Sequence, residues 1–210
     1  MAVLRELLRG QWPEAGYVDQ FDPRTCFRIN LESLGGVFPK SGIPYGQILE
    51  ITGGVSSGKT GLLLRTLAAL TPTPRLVYVD GTGTFFPPAA AAAGIDPRQI
   101  LLLRPERIGE AIRGVELLLE AKLVNCAVFD LAGGREVLPR IMLHRLRRQI
   151  TRAKALGVFL TEAGVHLLPA SFVSLQLTVH KLDRHTLEVT ATRSRINNEG
   201  AKGRLHLEAA

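Results

Sequence analysis

The chain has only two cysteines, Cys26 and Cys126, far apart in sequence. They supply neither a disulfide framework nor a paired metal spacing. No apolar run reaches the ~18 residues that a membrane-spanning helix needs. The opening "MAVLRELLRGQWPEAG" has apolar residues at near-helical spacing but no uninterrupted apolar core and no cleavage site, so no secretory signal is expected. Internal repeats and linkers are lacking too, and 210 residues are ample for one packed core. With 46% apolar and 21% charged residues, a cytoplasmic protein without a membrane partner is the expectation. Acids are outnumbered: 26 Lys and Arg against 19 Asp and Glu leave a net charge of +7. That excess favours a polyanionic partner, although many basic domains never touch nucleic acid.

Regular patterning begins at Gly46. "QILEIT" is a short apolar strand, and a glycine-rich loop then opens a helix through "KTGLLLRTLAAL" that stops at "TPTP". "LVYVD" is the pattern of a fully buried strand; Pro87 and Pro88 suit the first turn of an alanine helix that Gly94 ends. "QILLL" predicts a strand, "ERIGEAIRGVELLLEAK" an amphipathic helix and "VNCAVFDLA" a strand ending in an acid. A long helix is expected from about Glu136 to Leu156, then the strand "GVFLTE". The tail "SFVSLQLTVHKLDRHTLEVTATRSR" reads as an antiparallel hairpin around "KLDRH". The alternation predicts an α/β fold: a mainly parallel sheet with helices on both faces and an antiparallel C-terminal hairpin. Residues 1–40 are read as an irregular N-terminal segment with a short helix over Ala2–Gly10, in which Trp12 and Tyr17 pack the segment onto the core or onto a neighbouring subunit. Residues 41–210 are read as the core.

The strongest motif is Gly53-x4-Gly58-Lys59-Thr60, a complete Walker A pattern between a predicted strand and a predicted helix. Glycines let backbone N–H groups turn inward, and the helix directs its positive end at phosphates. The nucleotide-binding set is Gly53, Gly54, Val55, Ser56, Ser57, Gly58, Lys59, Thr60 and Gly61. Lys59 would reach the β/γ-phosphates of ATP, and Thr60 would ligate Mg²⁺. Asp130, ending "CAVFD", suits the Walker B acid beside that metal. Asp80 also ends an apolar strand and competes for the outer shell. "GTGTFF" after it lacks the third glycine of a dinucleotide fingerprint and is rejected as one.

These residues resemble the core of the RecA recombinase family. The likeness runs through "SLGGVFPKSGIPYGQILEITGGVSSGKTGLL" and "VYVDGTGTFFPPAAAAAGID", then less closely through "VFDLA", "GVFLTE" and the last strands. The resemblance implies a glutamate two residues after Asp80 to polarise the attacking water, and this chain has Thr82 there. It implies a γ-phosphate-sensing glutamine where this chain has Glu162. Both DNA-gripping loops look trimmed, to "DLAGGREVLPR" and "AGVHLLPA", and the family's separate C-terminal domain is expected to be missing. In place of a lysine pair that reaches a neighbour's γ-phosphate stand Arg193 and Arg195, read as trans phosphate sensors or, alternatively, as a solvated strand edge. Size and architecture further resemble the ImuA-type accessory proteins of bacterial damage-induced translesion synthesis, although many of those have a damaged phosphate loop.

The stretch "PRIMLHRLRRQITRAKALG" carries Arg140, Arg145, Arg147, Arg148, Arg152 and Lys154 with no acid. Arg145, Arg148 and Arg152 share one helical face, with Ile141, Leu146 and Ile150 as apolar contacts. That face meets an anionic surface, single-stranded DNA or an acidic protein, or is simply exposed. Histidines 144, 166, 180, 185 and 206 show no metal spacing. Three functions follow as expectations. The first is an ATP-binding accessory protein in DNA repair and the SOS response, with little hydrolysis, working with a recombinase or an error-prone polymerase and its adaptor and able to self-associate. The second is a DNA-dependent ATPase in which Glu162, Asp80 or another chain's acid serves as base. The third is a regulator that caps recombinase filaments.

Overall fold

The computed structural model describes residues 22–133, 138–196 and 199–207. The Ala2–Gly10 helix, Trp12 and Tyr17 lie outside them. Among the described residues, eight strands form one sheet in the order β11-β10-β9-β3-β8-β7-β5-β6. Its centre is β3 (Ile48–Gly53), flanked by β8 (Leu156–Glu162) and β9 (Leu175–Lys181), both parallel to it. Outward from β8 run β7 (Cys126–Asp130), β5 (Leu76–Asp80) and β6 (Ile100–Leu103), again parallel. Beyond β9, β10 (Thr186–Ser194) and β11 (Lys202–His206) are antiparallel. The expected C-terminal hairpin is therefore present, with its first strand parallel to β3.

Side-chain alternation divides the core in two. On one face, Leu49, Ile51, Tyr78, Val158 and Leu177 pack against Leu62, Leu63 and Leu67 of α1 (Lys59–Ala68) and Ala90 of α2 (Pro87–Ala92). On the other, Ile48, Val77, Ala127 and Phe159 meet Ile112 and Val115 of α3 (Ile108–Glu120), and Leu143, Leu146 and Ile150 of α4 (Arg140–Arg152). Phe159 stacks on Phe129 at 4.7 Å and meets Phe172 edge-on at 5.4 Å.

Three expectations are corrected. The stretch before residue 40 is not all irregular: β1 (Cys26–Ile29) pairs with β2 (Ile43–Pro44) and β4 (Leu70–Thr71) in a small separate sheet. Phe27, Leu34, Val37 and Phe38 are core residues. The helix expected over 136–156 spans Arg140–Arg152, because Pro139 sits at its N-cap and Lys154 adopts a left-handed φ of 53°. Ile141, expected as an apolar contact, is 75% exposed.

Candidate nucleotide-binding site

The loop between β3 and α1 leaves the sheet at its centre. Gly58, at φ 87°, is the left-handed N-cap of α1, and a Cβ there would lie 2.6 Å from Leu187 Cδ2. Gly53 is equally restricted, with Ser57 Oγ 2.5 Å from where its Cβ would be. Gly54, Val55 and Ser56 are exposed. Lys59 opens α1 and is 9% exposed; its ammonium donates to Gly53 O (2.8 Å) and Gly54 O (2.9 Å). Burial lowers the Lys59 pKa, against the pull of Glu162 and Asp130. Ser57 Oγ is buried without a hydrogen-bond partner among the described residues. A cradle of loop amides with an orphan hydroxyl and an ammonium parked on carbonyls fits a polyphosphate.

The loop forms one wall of a cleft of about 600 Å³, and Thr82, Thr84, Asp130 and Glu162 line the rest. Thr60, first turn of α1, is exposed on the same cleft. Asp130, at the end of β7, is 3% exposed; it accepts from the Tyr78 phenol (3.0 Å) and the Ala132 amide (3.2 Å). Burial raises its carboxyl pKa, and those two donors oppose the rise. Burial, with the Asp130 charge behind it, also pushes the Tyr78 phenol up, so it stays a donor. The Thr60 hydroxyl and the Asp130 carboxylate thus lie in one cleft, which the Glu162 carboxylate also lines.

Asp80 does not belong to that set. It sits beside Asp130 in the β5–β7 register. Its oxygens accept from Thr84 N (3.0 Å), Phe85 N (3.2 Å), Thr82 Oγ1 (3.3 Å) and Arg104 Nε (3.0 Å). With every donor turned inward, this carboxylate organises the loop after β5 and is not free for a metal or a water. Thr82 itself faces the cleft and shares a 2.6 Å hydrogen bond with Thr84 Oγ1.

The RecA N-terminal domain family matches residues 28–141, more than half of the chain. The chain belongs to that family. Its phosphate loop and the strand ending in Asp130 lie inside the matched region. Similar proteins include the RecA proteins of Arthrospira platensis, 34% identical over 99 residues, and of Ureaplasma parvum, 30% identical over 103 residues. The RecA of Mycoplasma genitalium is 28% identical over 118 residues. These alignments cover 47%, 49% and 53% of this chain but only 26%, 30% and 35% of the relatives.

Two sets of candidate arginines lie away from the cleft. Arg193 pairs with Gln176 near the end of β10, after a bulge at Thr192, and Arg195 follows the strand, bonded through its N–H to Ser174 O. Because β10 runs against β3, both arginines sit at the end of the sheet opposite the phosphate loop. They are not neighbours on one regular strand, since β10 ends at Ser194. Arg145, Arg148 and Arg152 are exposed on α4, outside the sheet. Of these three, Arg145 is paired, donating to Glu116 Oε2 of α3 at 2.6 Å, while Arg148 and Arg152 make no ion pair among the described residues; Arg147 donates to the carbonyls of Ser171 and Phe172. No group of three or more metal-ligating side chains occurs among the described residues.

Tyr78, Arg104 and Thr84 join the site beyond the residues that the motifs mark. Alternation along β5 puts Tyr78 and Asp80 on one face, which was a usable signal for Tyr78. Arg104 comes from a different strand's end, and only the fold brings it to Asp80.

Proposed function

We propose that this chain binds ATP with Mg²⁺ and holds it with little or no hydrolysis, as a RecA-type accessory protein in bacterial DNA repair. One observation carries the reading: an intact phosphate loop and Thr82 face each other across one cleft. The loop amides and Lys59 would receive the phosphates, and Thr60 with Asp130 would hold the cation, which screens the phosphate charge when bound. A threonine hydroxyl takes no proton from water at neutral pH, and general-base assistance is worth roughly 100- to 10,000-fold in rate. Arg193 and Arg195 are proposed to meet a neighbouring copy's phosphates, and the N-terminal segment, residues 1–40, to dock on a neighbour. The short connections after β7 and β8 and the likeness to ImuA-type proteins support a role in SOS translesion synthesis, beside an error-prone polymerase and its adaptor.

Glu162 favours a second reading, because it lines the same cleft and could act as base in a DNA-dependent ATPase. Binding and turnover of ATP, with and without single-stranded DNA, separate the two. In the first reading Lys59→Ala abolishes Mg·ATP binding, the wild type turns over negligibly, and Thr82→Glu raises turnover. Brisk wild-type turnover that Glu162→Gln removes would sink the first reading and establish the second.

A further inference from the structure

The strand β8 ends in a carboxylate, Glu162, that makes no ion pair among the described residues. Alternation puts it on the same face as Leu160, the face that packs on α1 and carries the phosphate loop. Glu162 stands in register with Gly53, the last residue of β3. Its backbone is pinned there: Ala163 N donates to Gly53 O (3.1 Å), and Val165 N closes a turn on Glu162 O (3.1 Å) around Gly164 at φ 82°. The same Gly53 carbonyl accepts from the Lys59 ammonium. Glu162 is half-buried and lines the nucleotide cleft with Asp130, Thr82 and Thr84. Among the described residues Lys59 is the one cationic side chain in that lining, against two carboxylates. Burial lowers the Lys59 pKa, and of the two charges that oppose it Glu162 acts more strongly than Asp130.

We infer that Glu162 makes this a nucleoside-diphosphate site: the cleft retains Mg·ADP in preference to Mg·ATP, because the carboxylate repels the terminal phosphate of a triphosphate. The inference rests on the phosphate-loop reading above and names the nucleotide that the loop keeps.

Loop amides of this kind cradle the α- and β-phosphates, and the lysine extends from β to γ. A diphosphate therefore uses the cradle in full. A triphosphate adds a further negative charge within reach of Lys59, where Glu162 already acts. An ionised carboxylate only accepts hydrogen bonds, so it offers a phosphate oxygen nothing in return, whereas a neutral amide in its place would donate. Like charges a few ångströms apart lie well inside the ~8 Å screening length of physiological salt. A cation on Thr60 and Asp130 would be common to both nucleotides and leaves the difference standing. Arg193 and Arg195, at the opposite end of the sheet, bring no guanidinium of the same copy to offset it.

Competition against fluorescent mant-ADP in dilute protein tests the inference, with AMP-PNP standing in for ATP so that turnover does not intervene. Wild type is expected to bind Mg·ADP about tenfold or more tightly than Mg·AMP-PNP. Glu162→Gln should bring the two to within about threefold by tightening AMP-PNP, with ADP changed less than about twofold. Glu162→Ala should move the ratio the same way, which separates lost repulsion from a hydrogen bond gained by the amide. Lys59→Ala should abolish binding of both. Equal, Lys59-dependent affinities in the wild type overturn the inference and leave the nucleotide reading intact, whereas binding of neither nucleotide overturns both. An ADP preference that survives Glu162→Gln and Glu162→Ala also overturns it. So does wild-type AMP-PNP affinity that keeps rising with Mg²⁺ beyond one equivalent, which would make Glu162 the ligand of a second cation.

Discussion

The amides of Thr84 and Phe85, the Thr82 hydroxyl and the Arg104 guanidinium all donate to Asp80, whose side chain is fully buried. Burial alone would raise its pKa, but Arg104 and the other donors outweigh that and hold the carboxyl below its usual range. A carboxylate with a depressed native pKa stabilises the fold above its ordinary pKa, and the contribution disappears as pH falls through the depressed value. Arg104→Ala should therefore reduce unfolding free energy at neutral pH by about 1–3 kcal/mol, the worth of a hydrogen bond to a charged group. The deficit should shrink on acidification. Urea melts near neutrality and well below the ordinary aspartate range check this, and an equal deficit at both pH values would assign Arg104 a packing role. This cluster also marks how far single residues were legible. Lys59 and Thr60 stand in a motif with fixed spacing, and Asp130 ends an apolar strand pattern, so the sequence exposes them. The inward turn of Asp80 depends on Arg104, which arrives from the end of β6.

Among elements, β3 is held by more than its backbone ladders. Glu50, buried at mid-strand, accepts from Thr161 Oγ1 of β8 and Gln176 Nε2 of β9, both at 2.8 Å. Gln176 Oε1 in turn accepts from Thr192 Oγ1 of β10 at 3.2 Å. Glu50→Gln can keep this chain, because the Gln176 amide can turn over and donate to Thr192, so a change within about 1 kcal/mol is expected. Glu50→Leu strips the acceptors from buried donors and should destabilise by about 1–3 kcal/mol. Chemical denaturation of both variants checks the difference, and equal loss in the two would mean the network contributes little. The long apolar runs that became β3, β5, β7 and β8 were readable, because a strand buried on both faces needs them. The short strands β1, β2 and β4 were not, since two to four residues carry no period. The start of α4 is hard to read because the composition before Pro139 stays helix-like, while the proline stands at the cap.

At the scale of the whole molecule, Arg193 and Arg195 lie across the sheet from the phosphate loop, so one copy cannot bring them to its own cleft. Under the proposed reading, ATP should drive self-association of the wild type in sedimentation. Lys59→Ala and Arg193→Ala/Arg195→Ala should each fail alone. Their mixture should recover a single kind of interface, intact loop against intact arginines, and so form dimers without longer assemblies. A mixture that stays monomeric while the wild type assembles rules out the trans contact. No helix among the described residues is long and apolar enough to cross a membrane. The pairing of β3 carries a further consequence, for synthesis. Gly53 is in register with Glu162 on one side and Val179 on the other, partners that are translated long after it. At roughly 5–20 residues per second on the ribosome, the phosphate loop waits several seconds for the strands that fix it. A nascent chain stalled before β8 would thus display the whole Walker A motif and have no site.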